Sequence, residues 1–174
     1  TRRLSSAASD VYKRQDIVRS LTVPVAPEEV KHLRRALPFK LEESLLEDVS
    51  ELHFAHAPLR DGLQAVGVVK RATINEWMEE MPEPLRDLPW VTEALCLPWS
   101  AGQWTLLFES DSVLVRWDEA EGARIEAALL PALLDSLDSE QADVVAYGQD
   151  EAAAKACIPL QFHDRMQWRQ GGLS

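Results

Sequence analysis

The stretch GQWTLLFESDSVLVRW occupies residues 102–117. Gln103 to Glu109 and Ser112 to Trp117 are two β-rich runs, and Ser110-Asp111 between them carries turn chemistry. Together they read as an antiparallel hairpin. Downstream, a helical pattern covers about Ala123 to Leu137, with Pro131 kinking or dividing it. Asp143 to Tyr147 is a short strand ended by Gly148, and Ala152 to Ala156 reads as a helical turn or two. Upstream, Val91 to Leu97 reads as a strand stopped by Pro98. A hairpin joined to a helix and further strands indicates an α/β chain with helices packed on a mixed sheet.

The same reading continues towards the N-terminus. Ile17 to Val25 is a β-branched strand. Pro27 opens a helix with Val30, Leu33 and Leu37 on one stripe, and Glu28 and Glu29 in its first turn suit the helix dipole. Pro38 interrupts that stripe and opens a second helix, in which Leu41, Leu45 and Val49 face inward while Glu42, Glu43, Glu47 and Asp48 face out. Glu51 to Ala57 and Gln64 to Lys70 form another hairpin around Asp61-Gly62. The run Ala65-Val66-Gly67-Val68-Val69 is apolar on both faces, which places its strand centrally in a covered sheet. Thr73-Ile74-Asn75-Glu76 has the form of a capping box, opening a helix with Ile74, Trp77, Met78 and Met81 on one face. Pro82 and Pro84 end it.

The bulk numbers narrow the function. The chain has 174 residues, 46% hydrophobic and 27% charged, and a net charge of −11. An acidic surface repels phosphate, so nucleic acid is not an expected partner; the charge fits a soluble domain, or one that docks on a basic protein patch. Residues 1–15, TRRLSSAASDVYKRQ, carry +3, so the rest of the −11 chain carries −14. That composition shift, and the likeness of SSAASDVYKRQ to translated sequencing-adapter sequence, mark residues 1–15 as non-native, with a natural flexible arm as the alternative. The expected organisation is 16–148 as one truncated domain and 149–174 as a tail of undetermined structure. No run approaches the roughly 20 apolar residues of a membrane span.

Catalytic chemistry finds little support. The seven glycines form no G-x-G-x-x-G or Walker pattern. His53 and His56, three apart on a strand, point to opposite faces and cannot share an ion; His32 and His163 read as surface residues. The serines lack a nucleophile-elbow context. Cys96, inside an apolar run, reads as a small core residue, and neither it nor Cys157 has metal-ligand spacing. No catalytic, cofactor or metal site is therefore expected. Two surfaces remain for partner binding: the acidic patch Glu42, Glu43, Glu47 and Asp48, for which solubility is the plain alternative, and Trp99 with Trp104 around the Ser100–Gly102 turn. For the tryptophans the alternative is a cluster packing the strand ends.

Specific residues carry a family resemblance. Ala36-Leu37-Pro38, Leu41-Glu42-Glu43 and Leu52-His53-Phe54-Ala55 resemble the "ALP…LEE…LHFA" run of type II secretion protein L. Leu97-Pro98-Trp99 and Gly102-Gln103-Trp104-Thr105-Leu106-Leu107 resemble its "LPW…GQWTLL" signature, followed by Leu114-Val115-Arg116. Trp77 is similar to that family's helix tryptophan. The resemblance spans about residues 17 to 148. It implies an actin-like, ribonuclease H-related fold and a non-catalytic scaffold at the cytoplasmic face of the bacterial inner membrane. The implied partner is the N-terminal region of the secretion ATPase, protein E. Protein M and other platform proteins are implied through segments outside this chain, and a homodimer is compatible with it. The rival readings are a truncated actin-like ATPase or sugar-kinase relative, and the related pilus assembly adaptor.

Overall fold

A computed structural model describes residues 18–87, 91–137 and 142–172. The chain divides into two compact units, residues 16–91 and 92–174.

In the first unit, β1 (Val18–Pro24), β2 (Leu52–Pro58) and β3 (Leu63–Lys70) form an antiparallel sheet in the order β1-β3-β2. The valine-rich β3 is the central strand, as its two-sided apolar character requires. It is held in register by Leu21↔Val66 on one side and Phe54↔Val68 on the other. Asp61 and Gly62 both have positive φ in the β2–β3 turn, a conformation that Gly and Asp tolerate best. Helix α1 (Leu33–Leu41) buries Leu33, Leu37 and Leu41, a spacing of four that makes one stripe. These pack with Leu45, Leu52, Val66 and Val68 as the core of the unit.

Three sequence expectations fail here. Pro27 opens no helix: Val30–His32 is a 3-10 turn, α1 begins at Leu33, and Val30 is exposed instead of joining the buried stripe. Pro38 lies inside α1 and opens no second helix. A proline deletes one backbone bond, to the carbonyl of Arg34, and Arg34 is exposed, so water can take the bond's place. Residues 42–44 and 49–51 are separate 3-10 turns, although Leu45 is still buried and Val49 packs on the core. Helix α2 (Arg71–Glu80) starts directly off β3, with Lys70 at its N-cap and no side-chain cap. Thr73 is therefore already inside the helix, and Thr73-Ile74-Asn75-Glu76 is not a capping box in place. Ile74, Trp77, Met78 and Met81 are half-buried.

In the second unit, β4 (Gln103–Phe108), β5 (Ser112–Arg116), β6 (Gly122–Glu126), β7 (Asp143–Gly148) and β8 (Met166–Gln170) form a mixed sheet ordered β6-β5-β4-β7-β8. The β4–β5–β6 part is antiparallel, and β4–β7–β8 is parallel. Helix α3 (Leu130–Leu137) lies on the connection from edge strand β6 back across to β7 and buries Leu130, Leu133, Leu134 and Leu137. They meet Trp104, Leu106, Val113, Val115, Val144 and Ala146. On the opposite face, Ala94 and Leu97 pack on Leu114. Two-sided cover explains why β7 is buried from Val144 through Gly148. Residues after 148 continue the fold: α4 (Glu151–Cys157), a 3-10 turn over Leu160–Arg165, then β8 paired with β7.

The expected strand over Val91–Leu97 is instead a 3-10 turn, Glu93–Cys96. Its carbonyls are taken by a side chain, not by a neighbouring strand: the Arg116 guanidinium donates to Leu95 O at 2.8 Å and Leu97 O at 2.6 Å. The helix expected from Ala123 begins only at Leu130, because residues 122–126 add strand β6 to the sheet edge. Cys96 is exposed, a further correction, since the 3-10 turn directs Ala94 and Leu97 inward and Cys96 out.

Candidate partner-binding surface

The six residues singled out from sequence do not form one surface. Glu42 and Glu43 are exposed on the 3-10 turn after α1. Glu47 does not face out: it is half-buried and ion-paired with Arg19 of β1. Asp48 is exposed, but its carboxylate accepts from the Ser50 backbone N–H at 2.8 Å, capping the next 3-10 turn. That bond holds the Asp48 carboxyl below its usual pKa. Trp104 is 4% exposed and its ring lies 5.5 Å from that of Phe162. It is a core side chain and cannot offer a contact to a partner, because β4 is central and its 104–106 faces are covered. Trp99 is half-buried. Glu42, Glu43 and Trp99 are thus the members whose side chains reach solvent without a structural task among the described contacts.

Sequence reading passed over three basic residues that organise the surface. Arg124 of β6 grips Glu93 with two nitrogens, at 2.6 and 3.0 Å, and also reaches Glu109 and Ser112 Oγ. This fork geometry is the arginine–carboxylate match. The two carboxylates raise the Arg124 pKa further above its already high value. The visible signal was the alternation of Arg124 with Ile125, which belongs to a strand and was absorbed into a helix. Arg116 at the end of β5 donates to the carbonyls of Leu95, Leu97, Asp118 and Glu119, and so fixes the loops on either side of it. Burial lowers its pKa. His163, read as a surface residue, sets its Nε2 2.9 Å from Ile158 O and 3.2 Å from Lys155 O at the end of α4. It closes that helix, so its task is structural.

In the first unit, His53 and His56 lie on β2, where their three-residue spacing sends them to opposite faces. His53 has its pKa lowered, first by burial and then by the charges of Arg71 and Arg34. No group of three or more His, Cys, Asp or Glu capable of holding a metal occurs among the described residues.

Comparison with known proteins gives the family. The family described as type II secretion system (T2SS), protein L, matches residues 9–169. The chain belongs to this family. Its match takes in residues 9–15 of the segment set apart by composition. A type II secretion system protein L from Dickeya chrysanthemi is 27% identical over 107 residues, 60% of this chain and 26% of that protein. One from Pseudomonas aeruginosa is 33% identical over 69 residues, 39% of this chain and 18% of that protein. This protein L chain therefore spans about a quarter or less of the relatives it matches. Among solved structures, the cytoplasmic domain of EpsL, an inner membrane component of the type II secretion system of Vibrio cholerae, matches with a TM-score of 0.72. The match is at 20% identity and covers 98% of this chain and 74% of that one. The fold is thus the actin-like α/β fold expected of protein L. No helix among the described residues is long and apolar enough to cross a membrane.

Proposed function

We propose that this protein L chain is a non-catalytic adaptor that anchors the secretion ATPase, protein E, to the inner-membrane platform through the ATPase's N-terminal region. The observation that carries the reading is the family match over residues 9–169. The charge arrangement supports it. Residues 92–174 hold fourteen acidic and five basic residues, a balance of −9. All five basic side chains are engaged inside the unit. Arg116 holds backbone carbonyls and Arg124 holds Glu93. Lys155 pairs with Glu151 at 2.7 Å, Arg165 sits over Phe162, and Arg169 sits over Tyr147. The unit's net negative charge suits a basic partner surface.

Within this reading, Glu42, Glu43 and Trp99 are the contact residues kept from the sequence expectation. Protein M and the other platform proteins are reached through segments outside this chain, and residues 1–15 take no part. The domain works at the cytoplasmic face of the inner membrane and transmits no chemistry of its own. A pull-down of purified protein E N-terminal region on the folded chain tests this. Retention of the ATPase, weakened by Glu42→Lys with Glu43→Lys, is the expected result. No retention by folded protein sinks the reading.

A further inference from the structure

Strand β2 has an open edge. It pairs with β3 and, among the described residues, with nothing on its other side. Leu59 N–H donates to Leu63 O across the β2–β3 hairpin. Bonded pairs therefore recur at every second residue, at Ala57↔Ala65, Ala55↔Gly67 and His53↔Val69. The N–H and C=O groups of Phe54 and His56 then point away from β3. Val25 N–H donating to Gly62 O sets the opposite phase on the β1 side, as a central strand requires. Ala55, His56, Ala57 and Pro58 are exposed. Strand β1, the other edge of this sheet, is buried or half-buried as far as Val23. Natural edges are usually blunted by a bulge, a lysine or a proline. In β2 the register runs unbroken from Leu52 to Pro58, and the proline comes only at its end.

The charge along this edge has one sign. Leu52-His53-Phe54-Ala55-His56-Ala57-Pro58 holds two histidines and no acid, and its nearest acids in sequence, Glu51 and Asp61, lie beyond its two ends. Arg71 donates to Leu52 O at 2.8 Å, which sets a guanidinium at the start of the edge. Lys70, exposed, is the register partner of Leu52. His53, whose proton affinity burial lowers first, also feels the charges of Arg71 and then Arg34. Helix α2 begins at Arg71, and a helix start adds partial positive charge. In a chain of net charge −11 this is a local cationic site beside unpaired backbone groups.

We propose that the open edge of β2 takes an extended, acidic peptide segment of a partner protein as an added strand. The peptide's main chain bonds to Phe54 and His56, and a carboxylate on it lies near Arg34 and Arg71. Main-chain bonds supply the affinity in strand addition, and the cations choose an acidic sequence over a basic one. The inference stands apart from the ATPase-anchoring reading and uses none of its contact residues.

Amide exchange of the whole chain, followed by two-dimensional NMR with and without the acetylated, amidated peptide TVEVEVET, tests it. The peptide should slow exchange at the Phe54 and His56 amides by at least about tenfold. The basic peptide TVKVKVKT and the proline-broken peptide TVEPEVET should protect them far less. His56→Pro deletes an outward N–H and no bond to β3, and should weaken TVEVEVET at least about tenfold. Arg34→Glu, at an exposed site, should weaken it at least about threefold, and it decides the matter where His56→Pro does not fold. Unchanged exchange at Phe54 and His56, protection of another edge alone, or equal binding of the acidic and basic peptides overturns the inference. A folded His56→Pro or Arg34→Glu chain that binds TVEVEVET as wild type does also overturns it. So does protection that rises with the concentration of the chain alone, since a second copy then fills the edge.

Discussion

Replacing Trp104 by alanine separates a core role from a surface role for the residue that most invited a binding interpretation. Trp104 is 4% exposed, sits on the central strand β4, and meets Phe162 at a ring separation of 5.5 Å. A buried tryptophan removes about 200 Å² from water, worth about 5 kcal/mol at 25 cal/mol per Å². Alanine retains part of that area, while loss of the aromatic pair adds about 1 kcal/mol and the cavity relaxes only in part. The expected loss is about 4 kcal/mol, within the usual range for Trp→Ala in a core. With a urea dependence of about 1.5 kcal/mol/M, the midpoint of the second unit falls by about 2.7 M. Far-UV circular dichroism at equilibrium in urea measures this without depending on the tryptophan signal. Trp99→Ala, at a half-buried site, serves as the comparison and should cost about 1 kcal/mol. A Trp104→Ala midpoint within about 0.5 M of wild type, or equal to that of Trp99→Ala, refutes the packing argument.

Three further outcomes follow from named contacts. Gly122→Ala places a Cβ 2.7 Å from Val115 O and 2.8 Å from Ala94 Cβ. Both neighbours are fixed, so it should cost about 1–3 kcal/mol in a urea melt, whereas Gly67→Ala, with open space around it, should not. Arg116→Lys should loosen residues 93–97 and 118–121, seen as faster amide exchange there, because a single ammonium cannot serve four carbonyls. His53 has a folded-state pKa below its ordinary value, so near and below about pH 6.5 the unfolded chain binds the extra proton and stability falls as pH falls. His53→Gln should reduce the drop in melting temperature between pH 7.5 and pH 5.5, and an undiminished drop contradicts the assignment.

Much of the architecture could be read from residue pattern, for reasons visible in particular elements. The β2–β3 and β4–β5 hairpins were legible because alternation, valine content and turn residues agree, and β3 declared its central place by being apolar on both faces. Strand β6 was not, because GARIE has no β-branched run of its own and is held by pairing with β5 and by the Arg124 grip on Glu93. The turn at 93–96 passed for a strand because its fate depends on Arg116, some twenty residues away, taking its carbonyls. The chain entry into α2 misled for the opposite reason. The helix needs no cap motif when β3 runs straight into it, so Thr73-Ile74-Asn75-Glu76 is a local signal overruled by connectivity.

The partner surface was less legible than the fold. Glu47 and Asp48 looked solvated beside Glu42 and Glu43, yet Arg19 and the Ser50 amide occupy them. Sequence distance hid the first of these, since Arg19 lies 28 residues away. Trp104 looked like half of an exposed pair because it follows a turn, but its inward register on β4 decides its burial. Surface function leaves weaker marks than packing, because a docking face asks only for charge and shape that solubility also provides.

Isothermal titration calorimetry of the whole chain tests the adaptor claim most directly, with the protein E N-terminal region in one titration and magnesium–ATP in another. Saturable heat with the ATPase region and none with the nucleotide is the predicted pair of results. Saturable nucleotide binding alongside silence with the ATPase region would replace an adaptor with a nucleotide-handling enzyme.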